Sequence, residues 1–203
     1  AQAGMWGRYS GNTESTIDED LAALESGGID GLLTKLRFWR GGLRVEHEHF
    51  TGWSMGARFY PVLYMLTRMG GARDWGTGIE LKANLLGKMS KLEVHHIFPK
   101  AQLYKLDHKR AEVNALANFC FQTKQTNLEI SDRFPEEYFA EFETRHPGAL
   151  ATQWIPMDKE LWKMKNYRDF LEARKELLAA EANKRMEELL HGETHWLEGA
   201  AAR

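Results

Sequence analysis

Two short stretches in the middle third of this 203-residue chain have marked β character. Leu92-Glu93-Val94 leads into His95-His96-Ile97-Phe98-Pro99. Asn118-Phe119-Cys120-Phe121-Gln122-Thr123 is a second run in which aromatic residues are enriched, as strands favour. Thr126-Asn127-Leu128-Glu129-Ile130 then reads as the beginning of a helix. Strand, loop, strand, helix is the order of the middle third, and everything around it is helical in composition. The predicted class is therefore mainly α with a small ββα core between helical flanks. The N-terminal flank covers residues 1–80, the core 81–133 and the C-terminal flank 134–203, together forming one compact unit.

The flanks carry their own punctuation. Ser15-Thr16 with Asp18, Glu19 and Asp20 stands before Leu21-Ala22-Ala23-Leu24, a good helix start. Gly27-Gly28 stops that helix. Asp30 can cap a second one through Leu32, Leu33, Leu36 and Phe38, which Gly41-Gly42 ends. A third apolar segment runs from Met55 to Met69, with Pro61 either in its first turn or at a kink. The Gly-rich stretch from Gly70 to Gly78 has neither a phosphate-loop nor a dinucleotide pattern and reads as a connector. A sharper alternative makes it a DNA-facing loop, with Arg73 on a phosphate and Trp75 stacked on a base. Pro135-Glu136-Glu137 opens a further helix that His146-Pro147-Gly148 ends, and Asp158 to Leu190 reads as a long helix.

Apolar residues make up 43% and charged residues 28%, which predicts a soluble folded domain. No apolar run approaches the roughly 18 residues of a membrane span. The first residues hold no apolar signal segment, and the chain does not begin with Met, so it reads as part of a longer protein. The single cysteine, Cys120, excludes an internal disulfide framework and a zinc ribbon of paired cysteines; it reads as a small buried hydrophobe. A reducing cytoplasm fits this usage. Net charge is −2, but Lys82 to Lys124 holds eight basic residues against three acids, Lys88 among the former. A local basic stripe in an acidic chain suits either a phosphate backbone or an ordinary solvated face.

Histidine is the residue type that points to chemistry. Adjacent side chains on an extended segment face opposite ways, so His95 and His96 cannot share one task. His47 and His49 are two apart and read as an alternating strand edge. His191 and His195 have helical spacing but flank Gly192, and they read as solvated surface.

His96-Ile97-Phe98-Pro99, with Asn118 at the second β run and Asn127 at the following helix start, resembles the HNH nucleases of the ββα-metal fold, in the HNN variant. Asn114-Ala115-Leu116-Ala117-Asn118, Thr126-Asn127-Leu128-Glu129-Ile130-Ser131 and Pro135-Glu136-Glu137-Tyr138 extend the likeness to the C-terminal nuclease domain of GmrSD-type modification-dependent restriction enzymes. Trp6 to Ser10 and the Phe59-Tyr60 helix are similar to those of SspE-type nucleases, which act in phosphorothioation-linked antiphage defence. The resemblance implies that His96 is the general base and that His95 and Asn127 are metal ligands. It also implies that Asn118 pins the loop between the strands, and it leaves Asn114 without a role. A divalent metal, Mg²⁺ or Mn²⁺, is expected. His95 stands where many family members carry Asp, and imidazole suits transition metals better than Mg²⁺. Double-stranded DNA is the expected partner, contacted by Lys91, Lys100, Lys124 and Arg73. An N-terminal sensor or NTPase domain of the same full-length protein is the expected regulator. The competing reading is a non-catalytic DNA-binding or interaction module that keeps the fold.

Overall fold

The two β-rich runs pair with each other. In the computed structural model, which describes residues 2–52, 56–82 and 91–191, β1 (Glu93–His96) runs antiparallel to β2 (Phe119–Gln122). The register sets Val94 against Phe121, His95 against Cys120 and His96 against Phe119. Between the strands lie two short helices, α4 (Lys100–Lys105) and α5 (Arg110–Val113), and a 3-10 turn at Leu116–Asn118. Helix α6 (Lys124–Ile130) follows β2 directly, and Thr123 caps it by accepting from the Thr126 N–H. Two strands this short cannot stand alone in water, and helices supply the missing burial. Helix α7 (Pro135–Arg145) brings Tyr138, Phe139 and Phe142 into the core, and α8 (Tyr167–Leu190) adds Tyr167 and Phe170. The described residues are thus mainly helical, with one small antiparallel sheet among them.

The outer edge of β2 is closed by side chains. Gln153 accepts from the Phe121 N–H at 3.3 Å and donates to the Phe121 carbonyl at 2.9 Å. An edge strand satisfied in this way offers no free ladder to another chain.

The chain divides into two compact units, 1–45 and 46–203, rather than one. The expected boundaries at 80/81 and 133/134 both fall inside the second unit. The first unit holds a single turn, α1 (Gln2–Met5), and α2 (Thr13–Arg40). The break expected at Gly27-Gly28 is present as a kink: Gly28 has φ 60° and ψ −154°, a conformation glycine tolerates and L side chains do not. The start lies earlier than Ser15-Thr16. Thr16 is already helical and donates back to the Asn12 carbonyl at 2.8 Å. Phe38 is 91% exposed, so of the expected apolar face Leu36 is the buried member.

In the second unit the strand edge expected at His47-Glu48-His49 is a 3-10 turn, His47–Thr51. His49 Nδ1 accepts from the Glu46 N–H at 2.9 Å, and Phe50 behind it is fully buried. Helix α3 (Tyr60–Met69) has Pro61 in its first turn. Of the residues singled out in the sequence, Met55, Lys88, Gly192 and His195 lie outside the described residues. The segment expected as one helix from Asp158 begins instead with 3-10 turns at Lys159–Trp162 and Met164–Asn166 before α8. No described helix is long and apolar enough to cross a membrane.

Candidate functional site

His95 and His96 end β1 and, being consecutive on a strand, serve two different surroundings. His95 turns toward α6. Its Nδ1 lies 2.9 Å from Asn127 Oδ1, and its ring stands edge-on to Trp75 and Tyr138. Only 5% of the residue is exposed, and burial is the main reason its pKa falls to about 4; the Asn127 bond opposes that shift and the nearby His96 adds to it. The imidazole is therefore neutral near pH 7.

Among the described residues only one nitrogen of His95 has a partner. Nε2 is buried and has no partner among the described residues. If Nδ1 carries the proton and donates to Asn127, a buried lone pair on Nε2 is left over. If Nε2 carries it, the Nδ1 and Oδ1 lone pairs face one another at 2.9 Å. That second form is a pair of neutral donors suited to a cation. Two neighbouring ligands of an octahedral ion with bonds of roughly 2.1 Å sit about 3.0 Å apart. Two lone pairs at this spacing are ones a divalent cation could bridge, while Nε2 keeps no partner among the described residues in either form.

His96 turns the other way. Its Nε2 lies 3.2 Å from Asn114 Oδ1, and its ring meets Phe119 edge to face at 4.8 Å. Its pKa is lowered, chiefly by burial, against an opposing Asn114 bond and with help from the Lys100 charge. Lys100 is exposed on the helix that begins just after Pro99.

Asn118 holds the turn between the two histidines and α4. It is fully buried, accepts from the Phe98 N–H at 2.9 Å, and donates to the carbonyls of Val113 (2.9 Å) and Phe98 (3.3 Å). Its own carbonyl accepts from the Ile97 N–H, and Tyr138 Oη donates to the Ile97 carbonyl. Both backbone groups of Phe98 and both of Ile97 are thereby fixed, so the histidines sit at the end of a clamped turn.

Three residues that local sequence patterns did not single out complete this frame. Asp74, fully buried, accepts from the Thr123 N–H (2.7 Å), from Thr126 Oγ1 and from both the N–H and hydroxyl of Thr77. It thus ties the Gly-rich loop to the first turn of α6, the helix that carries Asn127. Gln122 Oε1 accepts from the Trp75 N–H at 3.0 Å and ties the same loop to β2. Arg174, also fully buried, donates to the carbonyls of Ala117, Phe119 and Gln153. Burial lowers its pKa to about 10, which leaves it charged at neutral pH. A run of buried carbonyls needing a cation leaves no mark on periodicity, so Arg174 could not be told from the solvated arginines of α8.

The connector reading of the Gly-rich stretch stands in part, because the stretch is a buttress as well. Trp75 is fully buried against Tyr138 and Phe139 and cannot stack on a base. Arg73 donates from Nε to the Gly78 carbonyl and from Nη1 to the Pro147 carbonyl. Lys91, Lys100 and Lys124 are all exposed. Cys120 is buried, and burial pushes its thiol up to about 12. The structure brings His95 to Asn127, His96 to Asn114, and Asn118 to the turn between them. No family model, curated protein or solved structure matches the chain.

Proposed function

We propose that the second unit is a metal-dependent DNA endonuclease domain of HNH type, a mainly helical body around a ββα-metal core. In this reading it is the nicking module of a modification-linked restriction or antiphage protein. The observation that carries the reading is the approach of His95 Nδ1 to Asn127 Oδ1 at 2.9 Å between β1 and α6, beside a second histidine held by a separate partner. His95 and Asn127 would hold Mg²⁺ or Mn²⁺. The chemistry a bound divalent cation supplies at such a pair is neutralisation of phosphate charge and relief of charge on the leaving oxygen.

The chain's own residues do the rest. His96, neutral at pH 7, takes the proton from the attacking water. Asn118 keeps the turn rigid, so that base and ligands hold a fixed separation. Lys91, Lys100 and Lys124 present charge to the duplex backbone. Arg73, partly exposed, has two N–H groups on internal carbonyls and would meet a phosphate with its remaining donors. The ligand set includes an imidazole, so Mn²⁺ should support cutting at least as well as Mg²⁺. Sensing of modified or foreign DNA, and any nucleotide-driven control, would belong to a separate sensor or NTPase domain, and the proposed site of action is the cytoplasm.

A plasmid-nicking assay tests this directly. Open-circular product is expected with Mg²⁺ and with Mn²⁺, and none with EDTA. His96→Ala should reduce nicking by on the order of 100-fold or more while Mn²⁺ binding persists. Equal cutting by His96→Ala would sink the assignment. Failure of the wild-type chain to cut DNA with any metal would favour a non-catalytic DNA-binding or interaction module. Cutting confined to RNA would identify an RNA-directed enzyme.

A further inference from the structure

Asn114 lies outside the histidine–asparagine pattern, yet among the described residues it makes the one side-chain hydrogen bond of His96. Its amide cannot be reversed. Nδ2 donates to the Arg110 carbonyl at 2.8 Å, while Oδ1 faces His96 Nε2 at 3.2 Å. Exchanging the two ends would set an amide oxygen against a carbonyl oxygen at hydrogen-bond distance, with no proton between them. The amide is also anchored at its base, since Asn114 closes α5 with its backbone N–H on the same Arg110 carbonyl. Oδ1 can only accept, so His96 must present an N–H at Nε2. In a neutral ring the lone pair then lies on Nδ1. His96 Nδ1 makes no hydrogen bond among the described residues, and the residue is partly exposed. The edge-to-face contact with Phe119 at 4.8 Å holds the ring plane in this orientation.

We infer that Asn114 is the positioning residue of the base: it fixes the Nε2–H tautomer of His96 and so makes Nδ1 the atom that accepts the proton from water. The inference rests on the nuclease reading for its chemical meaning, while the tautomer itself is a property of the resting protein. In the step, a water O–H bond breaks and its proton goes to Nδ1. The oxygen's electron pair forms the new bond to phosphorus, and the leaving oxygen departs with the electrons of the broken P–O bond. His96 becomes a cation whose Nε2–H still points at Asn114 Oδ1, an acceptor already in place for the charged form.

The test is a long-range ¹H–¹⁵N spectrum of the ¹⁵N-labelled chain without metal at about pH 8, where imidazole is neutral. Among the eight histidines, the His96 ring is identified by its disappearance in His96→Ala. The expected wild-type pattern is a protonated, pyrrole-type Nε2 and a bare, pyridine-type Nδ1. The opposite pattern, or an averaged pair, overturns the inference. Asn114→Ala should move both nitrogens toward averaged values, and an unchanged spectrum overturns the role given to Asn114. The wild-type spectrum decides the tautomer whatever Asn114→Ala does to the fold. In the nicking assay Asn114→Ala should lose about 10- to 100-fold in rate and add no further loss to His96→Ala. If the tautomer is as stated and the wild-type chain cuts nothing, the tautomer stands and the nuclease reading falls.

Discussion

Cys120 and Arg174 show what burial does to a reactive group at the scale of one residue. The thiol sits in β2 with no exposed surface and is held protonated at any physiological pH. It should therefore ignore a disulfide reagent in the native protein and react fully in denaturant. Stoichiometric labelling of the folded chain would contradict the burial described here. Arg174 has the opposite character, a charge kept inside because three carbonyls surround it. Arg174→Leu strands those oxygens and should cost about 3 kcal/mol or more in urea unfolding, since each buried group left unpaired costs roughly 1–3 kcal/mol. Arg174→Lys should recover only part of that loss, because one ammonium cannot span what a planar fork spans.

At the scale of the element, α6 decides whether Asn127 meets His95. The helix has only seven residues and cannot hold its position by propensity alone. Its first turn is secured by the Thr123 cap and by Asp74 from a loop far away in sequence. Thr123→Ala should cost about 1 kcal/mol, as other lost caps do. Asp74→Ala should cost more and should also weaken Mn²⁺ binding; thermal unfolding and a metal titration measure the two effects. Loss of stability with unchanged metal affinity would show that α6 keeps its place without the clamp. The elements differ in how far the sequence shows them. The strands, the kink at Gly28, and helices α6 and α7 follow from β-rich runs, glycine and proline, which act locally. Trp75 and Asp74 lie among glycines and carry the composition of a loop; their burial comes from α7 and α6, which no local pattern links to them. The turn at His47–Thr51 was hidden because its apolar anchor, Phe50, sits between histidines spaced as on a strand. For the site, His95, His96, Asn118 and Asn127 were legible as a spaced pattern. Asn114 was visible as a polar residue, and the partner that gives it meaning was not.

At the scale of the whole molecule, the two units meet acid differently. In the first, Arg8 and Tyr9 donate to the buried Asp20 carboxylate, with Arg8 Nε at 2.8 Å, and the guanidinium lies over Trp39. The Arg8 bond, partly offset by burial, holds the Asp20 pKa below the ordinary carboxylate range. A depressed carboxylate pKa contributes stability that is complete above the unfolded value and is lost as pH falls through the folded one. The Trp39 indole signal should therefore stay native at neutral pH and shift only in strong acid. Asp20→Asn should weaken this unit at neutral pH and remove that acid-induced loss. A wild-type unit that loosens near neutral pH, or a variant with an unchanged acid profile, would refute the linkage. The second unit is organised around the carbonyls that Arg174 gathers, and this has a consequence for how the protein is made. The ribosome delivers His95, His96, Asn118 and Asn127 well before Arg174. Until α8 emerges, the carbonyls of Ala117 and Phe119 lack their donor, so the nascent chain carries the whole site pattern without the frame that aligns it. On the proposed nuclease reading, the order of translation itself would keep a half-made chain inactive, and a chain stopped short of Arg174 should neither fold stably nor cut.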